Sequence, residues 1–151
     1  SEVAVLSFFE ESSIEFVKVQ QENFSVYKAK NITLYQGDFM HIQAQHLADC
    51  KLVYDRASIV AIEPFNRQSY KHKMLQIIPA AIPMLMVTLE YDQDIMQGPP
   101  FSVPASEISA LYHPQYSAHF LQSNEQSTEG SRWRERGLQS LIESALRLNA
   151  K

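Results

Sequence analysis

AIPMLMVTLEY, Ala81–Tyr91, is the stretch on which the fold turns. It is apolar almost throughout, closes on Glu90 and Tyr91, and is far too short to cross a membrane. A short apolar run of this kind reads as a buried strand of an α/β sheet, with helices over its faces. The flanking segments agree. Upstream, Pro64 to Ile78 reads as a helix with a proline in its first turn, where no hydrogen bond is lost. Tyr70, Met74, Ile77 and Ile78 share one face of it, and Arg67, Lys71 and Lys73 lie off that face. Earlier, Cys50 to Ile62 begins as a dense apolar strand that stops at Asp55 and Arg56. Downstream, Pro104 to Tyr112 reads as a short helix, Ser117 to Gln122 as a strand, and the polar Ser123–Ser131 as a loop.

The two ends complete the outline. Ser1 to about Glu11 reads as a helix capped by Ser1. A hairpin follows, in which Phe24 and Val26, then Ile32 and Leu34, alternate about a turn at Lys30–Asn31. His41–Leu47 is a short helix or turn. The last segment supports two readings: Leu138, Leu141, Ile142 and Ala145 have helical spacing, whereas Ala145 and Arg147 with their neighbours alternate as a strand. Strands alternating with helices predict one α/β domain over 1–151, its sheet parallel at the centre and antiparallel at one end.

Composition narrows the function classes. The 151 residues are 45% hydrophobic and 20% charged, a balance that supports a folded core. A net charge of −4 offers no general attraction to nucleic acid or to an anionic membrane, and neither is expected as a partner. The lone Cys50 rules out an intrachain disulfide framework and suits a reducing, cytoplasmic setting. Four scattered glycines, Gly37, Gly98, Gly130 and Gly137, rule out a GxGxxG or Walker loop within these residues. The five histidines lack HExxH spacing, no GxSxG is present, and Cys50 has no evident partner base. No metal site and no catalytic acid, base or nucleophile is therefore expected.

Ligands of open α/β sheets sit at the carboxyl ends of strands, which directs attention to three places. They are Gly37-Asp38-Phe39, Tyr54-Asp55-Arg56, and Tyr91-Asp92 before the stiff loop QGPPFSVP, Gln97–Pro104. Gly37 lets a ligand approach the backbone, and Asp38 can accept a hydrogen bond from an amine or hydroxyl. Plainer readings stand beside these: Gly37-Asp38 as an ordinary turn, Asp55-Arg56 as a strand-end ion pair, and the proline loop as a rigid cover over core. Arg132, Arg134 and Arg136 surround Trp133, but no basic track extends that cluster toward a nucleic-acid surface.

VYDRASIVAI, LEYDQDIMQGPPFSVPASEISALY and SRWRERGL, in this order and at these intervals, resemble the thiopurine S-methyltransferase family, as do SEVAV and ITLYQGDF. The resemblance covers essentially all 151 residues. It implies a Rossmann-like class I methyltransferase sheet whose last strands are antiparallel, and it favours a strand around Ala145–Leu148. It further implies S-adenosylmethionine as cofactor, with Gly37, Asp38 and Phe39 beside its adenine and Arg56 at the junction of cofactor and acceptor. Arg132 would face a small-molecule acceptor, and Pro99, Pro100 and Phe101 would wall its pocket. The acceptor class implied is a thiol or thiopurine-like compound, with selenium or tellurium oxyanions associated with bacterial members.

Set against the family pattern, the opening segment with the first strands, the glycine-containing cofactor loop and the ribose-binding acid is not among these residues. The expectation is a single methyltransferase-like domain, incomplete at its N-terminus and monomeric when that segment is present. The alternative is a truncated, noncatalytic protein that binds a small ligand or pairs with another subunit. In that case KLVY and ITLY would lack sheet neighbours.

Overall fold

A computed structural model describes residues 1–151 and divides into two compact units, 1–43 and 44–151. In the first, helix α1 (Glu2–Glu11) is capped by Ser1, whose hydroxyl accepts from the Ala4 amide. Three antiparallel strands follow in the order β1 (Val17–Gln20), β2 (Phe24–Lys28) and β3 (Thr33–Gly37). Phe9, Phe24, Val26 and Tyr27 form the core, and Phe16 stacks on Phe9 at 4.5 Å between ring centres. The β2–β3 hairpin turns where the sequence placed it, with Lys28 opposite Thr33. Strand β1 was not foreseen, because it is short and exposed throughout and so shows no buried alternation. Strand β3 pairs with β2 and not with the sheet that contains KLVY, so ITLY has a neighbour after all.

The second unit contains β4 (Val53–Arg56), α2 (Arg67–Ile77), β5 (Met84–Glu90), α3 (Ala105–Tyr112), β6 (Tyr116–Ser127), α4 (Arg132–Glu135) and β7 (Ser140–Ala150). Its sheet runs β4-β5-β7-β6. Strands β4 and β5 are parallel, while β7 is antiparallel to both β5 and β6. Tyr70, Met74, Ile77 and Ile78 are all buried, as their shared helical face predicts. In β5, Met84, Met86 and Thr88 are buried on one face and Leu85, Val87 and Leu89 are half-buried on the other.

One local expectation is corrected, one open reading is settled, and one helix residue is found inside. Ser123–Ser127 continue β6 and do not form a loop; they pair with Ser140–Ser144, and that pairing outweighs their polar composition. The final segment is a strand, so β7 follows the resemblance and not the helical spacing of Leu138, Leu141, Ile142 and Ala145. Arg67 is not a surface residue of α2: it is 3% exposed and bonded on three sides.

Candidate functional site

A cleft of about 530 Å³ opens at the carboxyl ends of β4 and β5. Its floor is apolar, made by Val87 and Leu89 of β5 together with Val60 and Ala61 from the turn after β4. Pro99 and Pro100 form one wall, and Arg132, Trp133 and Arg136 form another. Arg56 and Glu143 sit at its edge.

The end of β4 is set by Asp55. Alternation along the strand sends Asp55 inward, where it is 2% exposed, and Arg56 outward toward the cleft. Asp55 accepts from the Tyr70 hydroxyl at 2.7 Å and from the Ile59 amide at 3.3 Å, and so fixes the turn that carries Ala57 and Val60. Adjacent residues on opposite faces do not form the ion pair that Asp55-Arg56 suggested. Arg56 instead reaches across β5 to Glu143 on β7, at 3.4 Å. Glu143 also accepts from Gln126 of β6 at 3.3 Å. Burial, and after it the charge of Asp55, pushes the Tyr70 hydroxyl far above its ordinary range.

The three cleft arginines are in different states. Arg56 is shared with Glu143. Arg136 donates to the carbonyls of Pro99 at 3.1 Å and Gly98 at 3.2 Å. Arg132 is exposed at the start of α4, where the Ser131 hydroxyl accepts from the Trp133 amide. Trp133 packs on Met96, Leu138 and Leu141, which holds this turn against the sheet.

The proline loop is stitched along its backbone. The amides of Phe101, Ser102 and Val103 donate to Val60 O at 2.6 Å, Gln93 Oε1 at 2.8 Å and Leu89 O at 2.6 Å. The Tyr91 hydroxyl donates to Pro100 O, and Arg67 donates to Ser102 O at 3.1 Å. Burial raises the Tyr91 pKa, a shift opposed by Gln93 and by the charges of Arg136 and Arg67. Gly98 has φ +79, and a Cβ there would lie 2.5 Å from the Phe101 ring, so this position requires glycine.

The structure thus brings Arg56, Pro99, Pro100 and Arg132 to one cleft and places Phe101 on the same loop. Gly37, Asp38 and Phe39 belong to the first unit, at the end of β3 in an antiparallel sheet. The argument from carboxyl ends of parallel strands does not reach them. Gly37 has a packing reason to be glycine, since a Cβ would meet Asn23 O and the Phe24 ring at 2.5 Å. Asp38 caps the following turn through the Met40 amide at 2.9 Å. Glu143 was missed because its role appears only once β7 is read as a strand beside β5. No group of histidine, cysteine and carboxylate side chains is placed to hold a metal ion.

A sheet in which a reversed strand enters between β5 and β6 is the Rossmann-like, class I methyltransferase form of the α/β fold. The family model described as thiopurine S-methyltransferase matches residues 1–151, and the chain belongs to that family. The thiopurine S-methyltransferase of Nitrosospira multiformis is 39% identical over 144 residues, 95% of this chain and 66% of its own length. That of Pseudomonas aeruginosa strain LESB58 is 42% identical over 112 residues, 74% of this chain and 51% of its own. This chain therefore spans between half and just under two thirds of these curated relatives. Among solved structures, a Burkholderia thailandensis 1,6-didemethyltoxoflavin-N1-methyltransferase aligns with 67% of this chain and 44% of its own. It does so at 12% identity and a TM-score of 0.39.

Proposed function

We propose that the whole protein transfers a methyl group from S-adenosylmethionine to the sulfur of an aromatic, thiopurine-like thiol, and that the cleft described above receives the acceptor. The observation that carries this reading is the cleft's lining: guanidinium groups over an apolar floor, with no thiol, amine or imidazole among them. A site for an electrophilic methyl must offer no competing nucleophile, and the one carboxylate present, Glu143, is paired with Arg56. The residues fit the donor on that chemistry. Bound S-adenosylmethionine would supply a methyl group on a positively charged sulfonium sulfur.

The chain's own residues do the rest. Arg132, which spends no donor on the protein, and the free donors of Arg56 favour the thiolate over the thiol. Held by these guanidiniums, the thiolate sulfur would accept the methyl group, and the donor sulfur would keep the electron pair of its broken S–CH₃ bond. In-line displacement needs alignment more than proton transfer, which accords with the absence of an assigned acid or base. Val60, Val87, Leu89 and the two prolines keep water from the acceptor ring. An inorganic selenium or tellurium oxyanion would use the guanidiniums but leave this floor idle, so the floor favours an aromatic acceptor. Gly37, Asp38 and Phe39 are assigned to the donor's adenine on the family resemblance, with both units parts of one methyltransferase-like domain. The unpaired Cys50 supports a cytoplasmic setting.

The test uses the full-length protein, labelled S-adenosylmethionine and an aryl thiol. Methyl transfer is expected, and Arg132→Ala should lower kcat/KM by roughly tenfold or more, the loss of one charge-assisted contact. Absence of both transfer and calorimetric S-adenosylhomocysteine binding would overturn the reading.

A further inference from the structure

The two halves of the proline loop are anchored in different ways. From Phe101 to Val103 every residue has an amide, and all three amides are engaged. Pro99 and Pro100 have none, so the backbone cannot hold that half through its own N–H groups. Its hydrogen bonds must come from donors aimed at its carbonyls, and the Tyr91 hydroxyl supplies one at Pro100 O. Arg136 supplies two more, from the other wall, with its Nη1 at 3.1 Å from Pro99 O and its Nη2 at 3.2 Å from Gly98 O. Arg136 arises directly after α4, on the cleft wall facing the prolines, so these bonds run from one wall to the other.

We infer that Arg136 is a positioning residue, a strap that fixes the spacing between the proline wall and the α4 wall and thereby the fit of the acceptor. Its terminal nitrogens are committed to the loop, which leaves Arg56 and Arg132 as the cleft's anion-binding groups. The planar fork matters here, because one guanidinium reaches two successive carbonyls and a lysine ammonium presents a single nitrogen. The kinetic consequence rests on the methyl-transfer reading; the structural one does not.

Arg136→Ala and Arg136→Lys in the full-length protein separate the two. Hydrogen exchange in peptides covering residues 96–103 should quicken about three- to tenfold in the alanine variant and less in the lysine variant. With an aryl thiol acceptor, KM should rise by about the same factor while kcat falls by less, the split expected when fit is lost and the reacting groups are not. Should the alanine variant fail to fold, the lysine variant carries the test alone. Unchanged exchange in both variants overturns the strap, and so does a loss confined to kcat, which would place Arg136 on the reacting atoms. Faster exchange in a protein whose wild type transfers no methyl sustains the strap and sinks the methyl-transfer reading.

Discussion

Replacing Arg67 tests how the cleft is supported from behind. Its guanidinium donates to Ile62 O at 3.2 Å, to Glu107 Oε1 at 2.6 Å and to Ser102 O at 3.1 Å, tying together the start of α2, the start of α3 and the proline loop. The Arg67 side chain is 4% exposed and that of Glu107 is 37% exposed. Breaking a fully buried pair by removing one partner costs about 3–5 kcal/mol. Glu107 can rehydrate, which trims its share, but Arg67→Ala also strands two carbonyls and opens a void, so we expect about 3 kcal/mol. Glu107→Ala leaves a buried guanidinium short of its counter-charge and should cost about 2 kcal/mol. The double variant should cost clearly less than the sum, with a coupling of about 1–2 kcal/mol. Equilibrium urea unfolding reads these values directly: at a slope of about 2 kcal/mol per molar, Arg67→Ala lowers the midpoint by about 1.5 M. If Arg67→Ala costs under about 0.5 kcal/mol, or the two changes simply add, the buried tie is not what supports the loop.

Gly98→Ala forces a Cβ to 2.5 Å from the Phe101 ring at φ +79, whereas Gly130→Ala, at φ +73, meets nothing within 4 Å. Thermal melting should show a loss of about 2–3 kcal/mol for Gly98→Ala and about 1 kcal/mol for Gly130→Ala, and equal losses would mean that contact with the ring is unimportant. Burial, followed by the charge of Asp55, also raises the Tyr112 hydroxyl, as it does that of Tyr70. Their contribution is intact below pH 10 or so, where both states hold the proton, and is lost above it as the unfolded chain ionises first. Stability should then fall by up to about 1.4 kcal/mol per pH unit for each tyrosine, and Tyr70→Phe should make the decline shallower in urea titrations between about pH 9 and 11.5. An unchanged slope would show that Tyr70 ionises as readily in the folded protein as in the unfolded one.

Periodicity made the elements with a buried face legible and was blind where pairing or a polar anchor decided the outcome. The apolar stripe of α2 and the alternation in β5 follow from burial, and both were readable. Ser123–Ser127 carry no apolar residue, so only their pairing with β7 makes them a strand. Arg67 reads as solvent-facing by residue type, yet three acceptors from distant segments converge on it. Of the cleft, Arg56 and the proline loop were reached from the carboxyl ends of strands, while their roles and that of Arg132 came from motif resemblance. Glu143 and the strap at Arg136 needed the register of β7 and the path of the loop. The strand-end ion pair suggested by Asp55-Arg56 gave way to strand geometry: neighbours on a strand part company, one to the core and one to the cleft.

The position of β7 also constrains how the protein comes into being. Strand β6 is made before β7, yet within the sheet β7 is its sole partner and separates it from β5. On the ribosome, β6 emerges before its only sheet partner, while β4 and β5 can already associate. This part of the sheet is therefore finished by insertion rather than by growth at its rim: β7, translated after both of its neighbours, must enter between them.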